Sequence, residues 1–453
     1  MQRLKILPLV LDHQNYFQNS SDIIPRSIPV SPCLDGREIN LIFGALHTGK
    51  TSFLKQIAGM LQGPRVYINF EDSRFRDLGP ESFQEIEEIA AEFCRKGSEA
   101  EEGLETEEKS DNGKSAEPVS YFLDEIQYAH GWEDWVDRLQ NEGARVFITS
   151  SSASPMNQNI SSRFENRIRI LKLPPFSFKE YLTLKGLRVP KPNFLTPSRC
   201  DEMLCLFLRY FENGGFPDII KNNDYRLSRK YYEEILQKEI IDRHDIQDPE
   251  GLKRLAVFLI SNMSSEYSLG TLKKVSLIDS EDTIRNYLDY LEDSFLLYRV
   301  PMFNHASENS EGRETENGKE VPCKVYAGDT GFFKSVFPNY PDSLGLRFEN
   351  LVFLELLRQG KQVSYFRDRR ECDFLITEKD SQAVKVAIQV SISFGSPSVR
   401  EREIPGLMAA MEEFGLNEGL ILTMDDEGAI EIEGENGEKK RIIIKSVWKW
   451  MLE

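Results

Sequence analysis

INLIFGALHTGKT, residues 39–51, decides how this chain is read. Its first five residues, Ile39–Phe43, are apolar and β-prone, as in a strand buried on both faces. They run directly into Gly44, Ala45, Leu46, His47, Thr48, Gly49, Lys50 and Thr51, spaced G-x-x-x-x-G-K-T, and an apolar helical stretch from Ser52 to about Leu61 follows. Strand, glycine loop and helix in that order predict a P-loop. Gly44 and Gly49 permit backbone angles at which successive N–H groups converge on phosphate oxygens. The helix behind them, with Ser52 in its first turn, adds its partial positive charge. Lys50 is expected to reach the β- and γ-phosphates of ATP, and the Thr51 hydroxyl to ligate Mg²⁺.

A second element supports the first. Val119–Leu123 (VSYFL) is another buried-strand run, and it ends in Asp124 and Glu125. Acidic residues at the C-terminal end of a parallel strand share a sheet edge with the loop. Asp124 is then placed to hold Mg²⁺, and Glu125 to polarise the attacking water. RVYINF (Arg65–Phe70) and ARVFITS (Ala144–Ser150) supply further strands, so a parallel sheet with helices on both faces is expected. Thr149 or Ser150 ends its strand beside Asp124 and could sense the γ-phosphate.

The rest of the chain sets bounds. At 453 residues it should hold several domains. With 40% hydrophobic and 29% charged residues it can bury a sizeable core. A formal net charge of -18 argues against a surface that coats nucleic acid. Residues 97–117 (GSEAEEGLETEEKSDNGKSAE) are acidic with few apolar side chains, and a disordered insertion is expected there. Cys33, Cys94, Cys200, Cys205, Cys323 and Cys372 are scattered without a zinc pattern. The N-terminal apolar run is too short for a membrane span and has no cleavage site. A cytoplasmic protein without membrane attachment is expected.

Beyond the loop, an ordered series of segments extends over nearly the whole chain. It includes LDEIQ (Leu123–Gln127), ITSSS (Ile148–Ser152), PPFSFKEY (Pro174–Tyr181), GGFPDII (Gly214–Ile220) and TIRNYLDYLEDSFLL (Thr283–Leu297). KVYAGDTG (Lys324–Gly331), RFENLVFLELLR (Arg347–Arg358), ECDF (Glu371–Phe374), IQVS (Ile388–Ser391), REREI (Arg400–Ile404) and VWKWMLE (Val447–Glu453) follow. The series resembles prokaryotic AAA-like P-loop ATPases with a C-terminal domain of unknown function similar to restriction endonucleases. The resemblance implies ATP hydrolysis and an arginine that completes charge neutralisation, here Arg163 or Arg167. It also admits a homo-oligomer in which a neighbouring copy supplies that arginine.

The expected fold class is α/β and multidomain. After an N-terminal segment (1–35) come a P-loop ATPase core (36–190), a helical lid (191–245) and a winged-helix-like domain (246–303). A polar linker (304–320) and a restriction-endonuclease-like α/β domain (321–453) complete the chain. In the lid, Leu204, Phe207, Leu208 and Phe211 are expected on one helical face. In the winged-helix-like part, Thr283–Leu291 would be the groove-entering helix, capped by Asp282 or Ser280. Its Asp282, Asp289, Glu292 and Asp293 oppose DNA phosphates, with only Arg285 against them.

Nuclease-like domains of the type that the last domain resembles place a helix Glu, a strand Asp and a strand Glu-x-Lys around a divalent metal. Glu349 and Asp373 match, whereas Gln389 and Ser391 stand where acid and lysine belong. Strong nuclease activity is therefore not expected. Contact with DNA or a protein through Arg367, Arg369, Arg370, Arg400 and Arg402 stays open. The reading is an ATPase whose cycle switches contacts of the two C-terminal parts. An ATP-gated nuclease using Glu349 and Asp373, or an ATP-binding module with negligible turnover, are the alternatives.

Overall fold

The computed structural model describes residues 2–19, 23–34, 38–75, 79–102, 117–153, 163–164, 167–304, 321–336, 344–378, 383–434 and 437–453. The chain divides into two compact units, Met1–Pro174 and Pro175–Glu453. The helices read as a lid thus belong to the second unit, and the first ends before residue 190.

In the first unit, helix α1 (Gln2–Gln18) precedes β1 (Ile39–Phe43), α2 (Lys50–Met60), β2 (Arg65–Asn69) and α3 (Ser82–Glu102). Strand β3 (Ser120–Asp124), α4 (Trp132–Asn141), β4 (Arg145–Ser150) and β5 (Ile168–Lys172) follow. All pairings are parallel, in the order β2-β3-β4-β1-β5. Alternation along the strands sorts the core into two layers. Leu41, Val66, Ile68, Leu123, Val146 and Ile148 join one layer with residues of α3 and α4. Ile42, Tyr67, Phe122 and Phe147 join the other with Phe53, Leu54 and Ile57 of α2. Asp124 and Thr149 continue the α2-facing alternation of Phe122 and Phe147, so chemistry at these strand ends converges on the loop side.

The edge strand β2 would leave backbone groups unpaired, and α1 supplies partners. Gln14 Nε2 donates to the Arg65 carbonyl (2.7 Å), and its Oε1 accepts the Tyr67 N–H (3.0 Å). His13 Nδ1 accepts the Asn69 N–H (3.2 Å), which leaves Nε2 to donate to Asp72 (3.1 Å). Helix α3 continues through Glu102, so the first residues of the stretch expected to be disordered are helical. Residues 103–116 of that stretch, and 305–320 of the expected linker, lie outside the described residues.

The second unit begins with α5 (Phe178–Leu184), whose Ser177 and Glu180 form a capping box. Helix α6 (Pro197–Asn213) buries Met203, Phe207, Tyr210 and Phe211. Leu208 is 38% exposed, so the apolar face is turned from the expected one toward Met203 and Tyr210. Helices α7 (Pro217–Asn222) and α8 (Arg226–Glu234) follow, and α8 continues as a π-helix over Ile235–Asp242.

Next come α9 (Pro249–Ser261), β6 (Ser265–Glu266), α10 (Leu269–Ser276), α11 (Glu281–Asp293), β7 (Leu297–Pro301) and β8 (Cys323–Ala327). The three strands form an antiparallel sheet ordered β6-β8-β7. Of the two residues read as caps for α11, Ser280 does the capping, through its side chain and the Thr283 N–H.

The remaining elements are α12 (Gly331–Val336), α13 (Leu344–Arg358), β9 (Gln362–Arg367), β10 (Glu371–Thr377), β11 (Val384–Val390) and α14 (Pro397–Glu413). Strands β12 (Glu418–Thr423), β13 (Gly428–Glu433) and β14 (Lys439–Ser446), with α15 (Val447–Leu452), end the chain. They build a mixed six-stranded sheet, β13-β14-β12-β11-β10-β9.

Four of the quoted sequence segments meet in one buried knot of this unit. Asp329 accepts the Gly215 and Gly331 N–H groups (2.8 Å each). A Cβ on Gly214 would lie 1.7 Å from the Asp329 carboxylate, so glycine is required there. Tyr210 donates to the Phe176 carbonyl (2.8 Å), and Arg358 to that of Pro175 (3.3 Å). These segments hold the fold together.

Candidate nucleotide site

Strand β1 delivers Gly44 to the sheet edge, where its N–H donates to the Ser150 carbonyl (3.2 Å). Only glycine fits there, because a Cβ would sit 2.2 Å from the Leu173 carbonyl oxygen. The loop then turns through His47 (φ 67) and Gly49 (φ 90), both left-handed. Such a φ costs a non-glycine residue conformational energy and costs Gly49 little. The Thr48 hydroxyl donates to the Ala45 carbonyl (2.9 Å) and closes the loop on itself. Ala45, Leu46 and Thr48 are buried, whereas Ser52 is exposed on the first turn of α2. Gly49 has no side chain with which to cap α2, so the helix presents its first N–H groups to whatever anion lies ahead of it.

Lys50 is buried, and its Nζ lies 3.1 Å from the Gly44 carbonyl, 3.2 Å from that of Ala45 and 3.1 Å from Glu125 Oε1. Asp124 is fully buried at the end of β3. Its Oδ2 accepts from Thr51 Oγ1 (2.6 Å) and from the Tyr67 hydroxyl (2.8 Å), and its Oδ1 from Thr149 Oγ1. Burial, and then the charge of Glu125, raise the Asp124 pKa against those hydrogen bonds. Burial also opposes ionisation of Glu125, but Lys50, Gln127 and Ser151 outweigh it and hold its carboxyl below the usual range. Gln127 Nε2 donates to Glu125 Oε2 (2.6 Å) and to Ser151 Oγ (2.9 Å), and the Ser151 N–H to the same Oε2 (3.1 Å). Glu125 adopts left-handed angles (φ 51, ψ 50), a conformation that persists where surrounding structure holds it.

The donors suit ATP with Mg²⁺. Thr51 and Asp124 offer hard oxygen ligands side by side, and Mg²⁺ is usually held by one or two carboxylates together with substrate phosphates. The described residues contain no cluster of three His, Cys, Asp or Glu able to hold a metal unaided.

Several residues stand elsewhere than the sequence suggested. The hydroxyl of Ser150 turns to the Ser152 carbonyl (2.9 Å), and Thr149 is the residue that touches Asp124. Arg167 is not at the loop. Its carbonyl accepts the Ile39 N–H at the start of β1, and four residues of strand, about 13 Å, separate that edge from Phe43. Its guanidinium pairs with Asp137 of α4 (2.8 Å). Arg163 pairs with Asp134 in the first turn of α4. Neither arginine contacts Lys50, Asp124 or Glu125 through a described interaction.

Two contributors escaped the sequence. Tyr67 reads as one more β-prone residue, yet its hydroxyl holds Asp124 and its ring stacks on Phe17 of α1 (4.3 Å). Arg26, in a stretch without pattern, is buried against the loop, donating to the carbonyls of Thr48 (3.0 Å) and Pro174 (2.7 Å).

Residues 36–182 match the family described as an AAA domain. The chain carries an AAA-type P-loop ATPase domain. Its sheet edge is the one just described. Residues 205–343, from within α6 to the residue before α13, match a domain of unknown function (DUF8612). An uncharacterized protein of Methanocaldococcus jannaschii is 28% identical over 95% of this chain and 91% of its own length. One of Haemophilus influenzae is 26% identical over 78% of this chain and 83% of its own. Among solved structures, the Walker-type ATPase of Pyrococcus abyssi aligns over 70% of this chain and 96% of its own at 12% identity. The TM-score of that alignment is 0.43. No described helix is long and apolar enough to cross a membrane.

Proposed function

We propose that the chain is a Mg²⁺-dependent ATPase whose nucleotide cycle changes the contacts its second unit makes with a partner. The observation that carries this is the cluster of Lys50, Thr51, Asp124 and Glu125 at one sheet edge. The loop amides and the start of α2 would bind the phosphates, and Lys50 would exchange its carbonyl partners for phosphate oxygens. Thr51 and Asp124 would hold Mg²⁺, which supplies charge neutralisation on the phosphates. Glu125, kept ionised by its neighbours and fixed by Gln127 and Ser151, would orient and polarise the water. That water forms the new bond to the γ-phosphorus while the bond to the bridging oxygen breaks, giving ADP and phosphate.

For the second unit, the order α9, β6, α10, α11, β7, β8 supports a winged-helix-like reading, and α13, β9, β10, β11, α14, β12 a nuclease-like one. We read the partner as a protein. Helix α11 offers no surplus of positive charge, since its Arg285 is spent on Glu281 and Asp282, and its Asp289 and Glu292 pair with Arg299 of β7. Arg367 and Arg402 are likewise paired with carboxylates. Phosphate release from Mg-ATP by the wild type and by Lys50→Ala tests the proposal. Turnover that the substitution abolishes supports it. Equal rates, or none in the wild type, would refute it.

A further inference from the structure

The last domain gathers a second lysine among carboxylates, far along the chain from the nucleotide loop. Lys324 comes from β8 of the three-stranded sheet, and its side chain is 2% exposed. Its Nζ lies 2.5 Å from Glu371 Oε1, 2.9 Å from Glu349 Oε1 and 3.9 Å from Asp373 Oδ1. Tyr326, two residues on and therefore on the same face of β8, donates its hydroxyl to Glu349 Oε1 (2.7 Å). Glu349 and Asp373 are the two positions at which a nuclease-like domain would hold a divalent metal.

The donor set does not fit that metal. An ammonium stands where the carboxylate oxygens point, and a divalent cation in the same place would be repelled by it. Gln389, at the position of the third acid, is neutral and committed: Nε2 donates to Glu403 (2.8 Å) and Oε1 accepts the Asp373 N–H (3.4 Å). Ser391 donates to the Ser393 carbonyl (2.9 Å). Asp373 Oδ2 is occupied by the Val390 N–H (2.8 Å), which leaves Oδ1 on the lysine side. Glu371 also pairs with Arg367.

We propose that Lys324 is a built-in counter-cation that replaces a divalent metal in this acidic centre and fastens the β7–β8 hairpin to the six-stranded domain. Burial works against its charge, but Glu349, Asp373 and Glu371 outweigh burial and raise its pKa, so it remains an ammonium. Lysine reaches the cluster from a strand outside the six-stranded sheet, so the same contact that fills the cation position ties two parts of the unit together. The inference is independent of ATP turnover at the loop.

The test counts Mn²⁺ ions bound to the full chain without nucleotide, by electron paramagnetic resonance. A Glu349→Gln/Asp373→Asn variant sets the count for ions bound elsewhere. The wild type should bind no more Mn²⁺ than that variant. Lys324→Met should bind one more ion per chain, and its melting temperature should rise with Mn²⁺ while that of the wild type does not. An additional ion in the wild type, or a folded Lys324→Met with no additional ion, would overturn the proposal. Should Lys324→Met fail to fold, the triple variant that also carries Glu349→Gln and Asp373→Asn decides, because it has no unpaired charge from these three groups. Recovery of cooperative unfolding in the triple variant supports the counter-cation role, and continued failure refutes it.

Discussion

Two lysines in this chain lie among carboxylates, and their surroundings give them different tasks. Lys50 stands at the start of a helix behind a glycine loop, with two loop carbonyls and one carboxylate as partners. Those partners are exchangeable, since the neighbouring backbone N–H groups attract a phosphate that can take the ammonium in their place. Lys324 lies on a paired strand, within reach of three carboxylates. Its local field attracts cations, and the lysine itself is the cation held. Burial does not separate the two, because both side chains are almost inaccessible. What separates them is the backbone: converging amides in one case, paired β-structure in the other.

The largest effect should come from removing the sealed lysine. Lys324→Met strands buried carboxylates, which costs about 3–5 kcal/mol of second-unit stability. Denaturant unfolding checks this, and a loss within experimental error would erase the contrast with Lys50. Removing the exchangeable lysine should cost less stability, because it strands one carboxylate that Gln127 and the Ser151 N–H still hold, and should lower phosphate release by about a hundredfold or more.

A pH series sharpens the picture of the second unit. Burial pushes the Asp329 carboxyl up to about 6 from its ordinary 3.8. Because folding raises this pKa, the fold favours the neutral form. Its contribution is complete below the unfolded carboxylate range and is lost as pH climbs through about 6. The penalty of Asp329→Asn relative to the wild type should therefore shrink between pH 4 and 7, by up to about 3 kcal/mol. A penalty independent of pH would contradict this. The smallest effect belongs to Tyr67→Phe, which removes one hydrogen bond to Asp124, worth about 1 kcal/mol. It should shift the Mg²⁺ dependence of turnover several-fold and leave the secondary structure unchanged.

The nucleotide site was legible because its parts are local. A strand, a glycine loop and a helix are contiguous, and Asp124 with Glu125 ends a recognisable strand run. What escaped depends on pairing across the chain. Tyr67 reaches Asp124 because β2 lies beside β3, and nothing in RVYINF shows that register. The resemblance offers Arg167 for the nucleotide, but the parallel register of β5 with β1 puts it at the opposite sheet edge. Lys324 was in view within KVYAGDTG, yet its partners come from α13 and β10, brought to it only by the fold. Glu349 and Asp373 are legible in the sequence, whereas the lysine between them is placed there only by the fold.

Lys50 is assigned to binding and Glu125 to the water. ATP affinity and single-turnover hydrolysis, measured side by side in Glu125→Gln, separate the two roles. Affinity should stay close to the wild type, with hydrolysis slowed by about a hundredfold or more. Hydrolysis at the wild-type rate in a variant that still binds ATP would contradict that assignment.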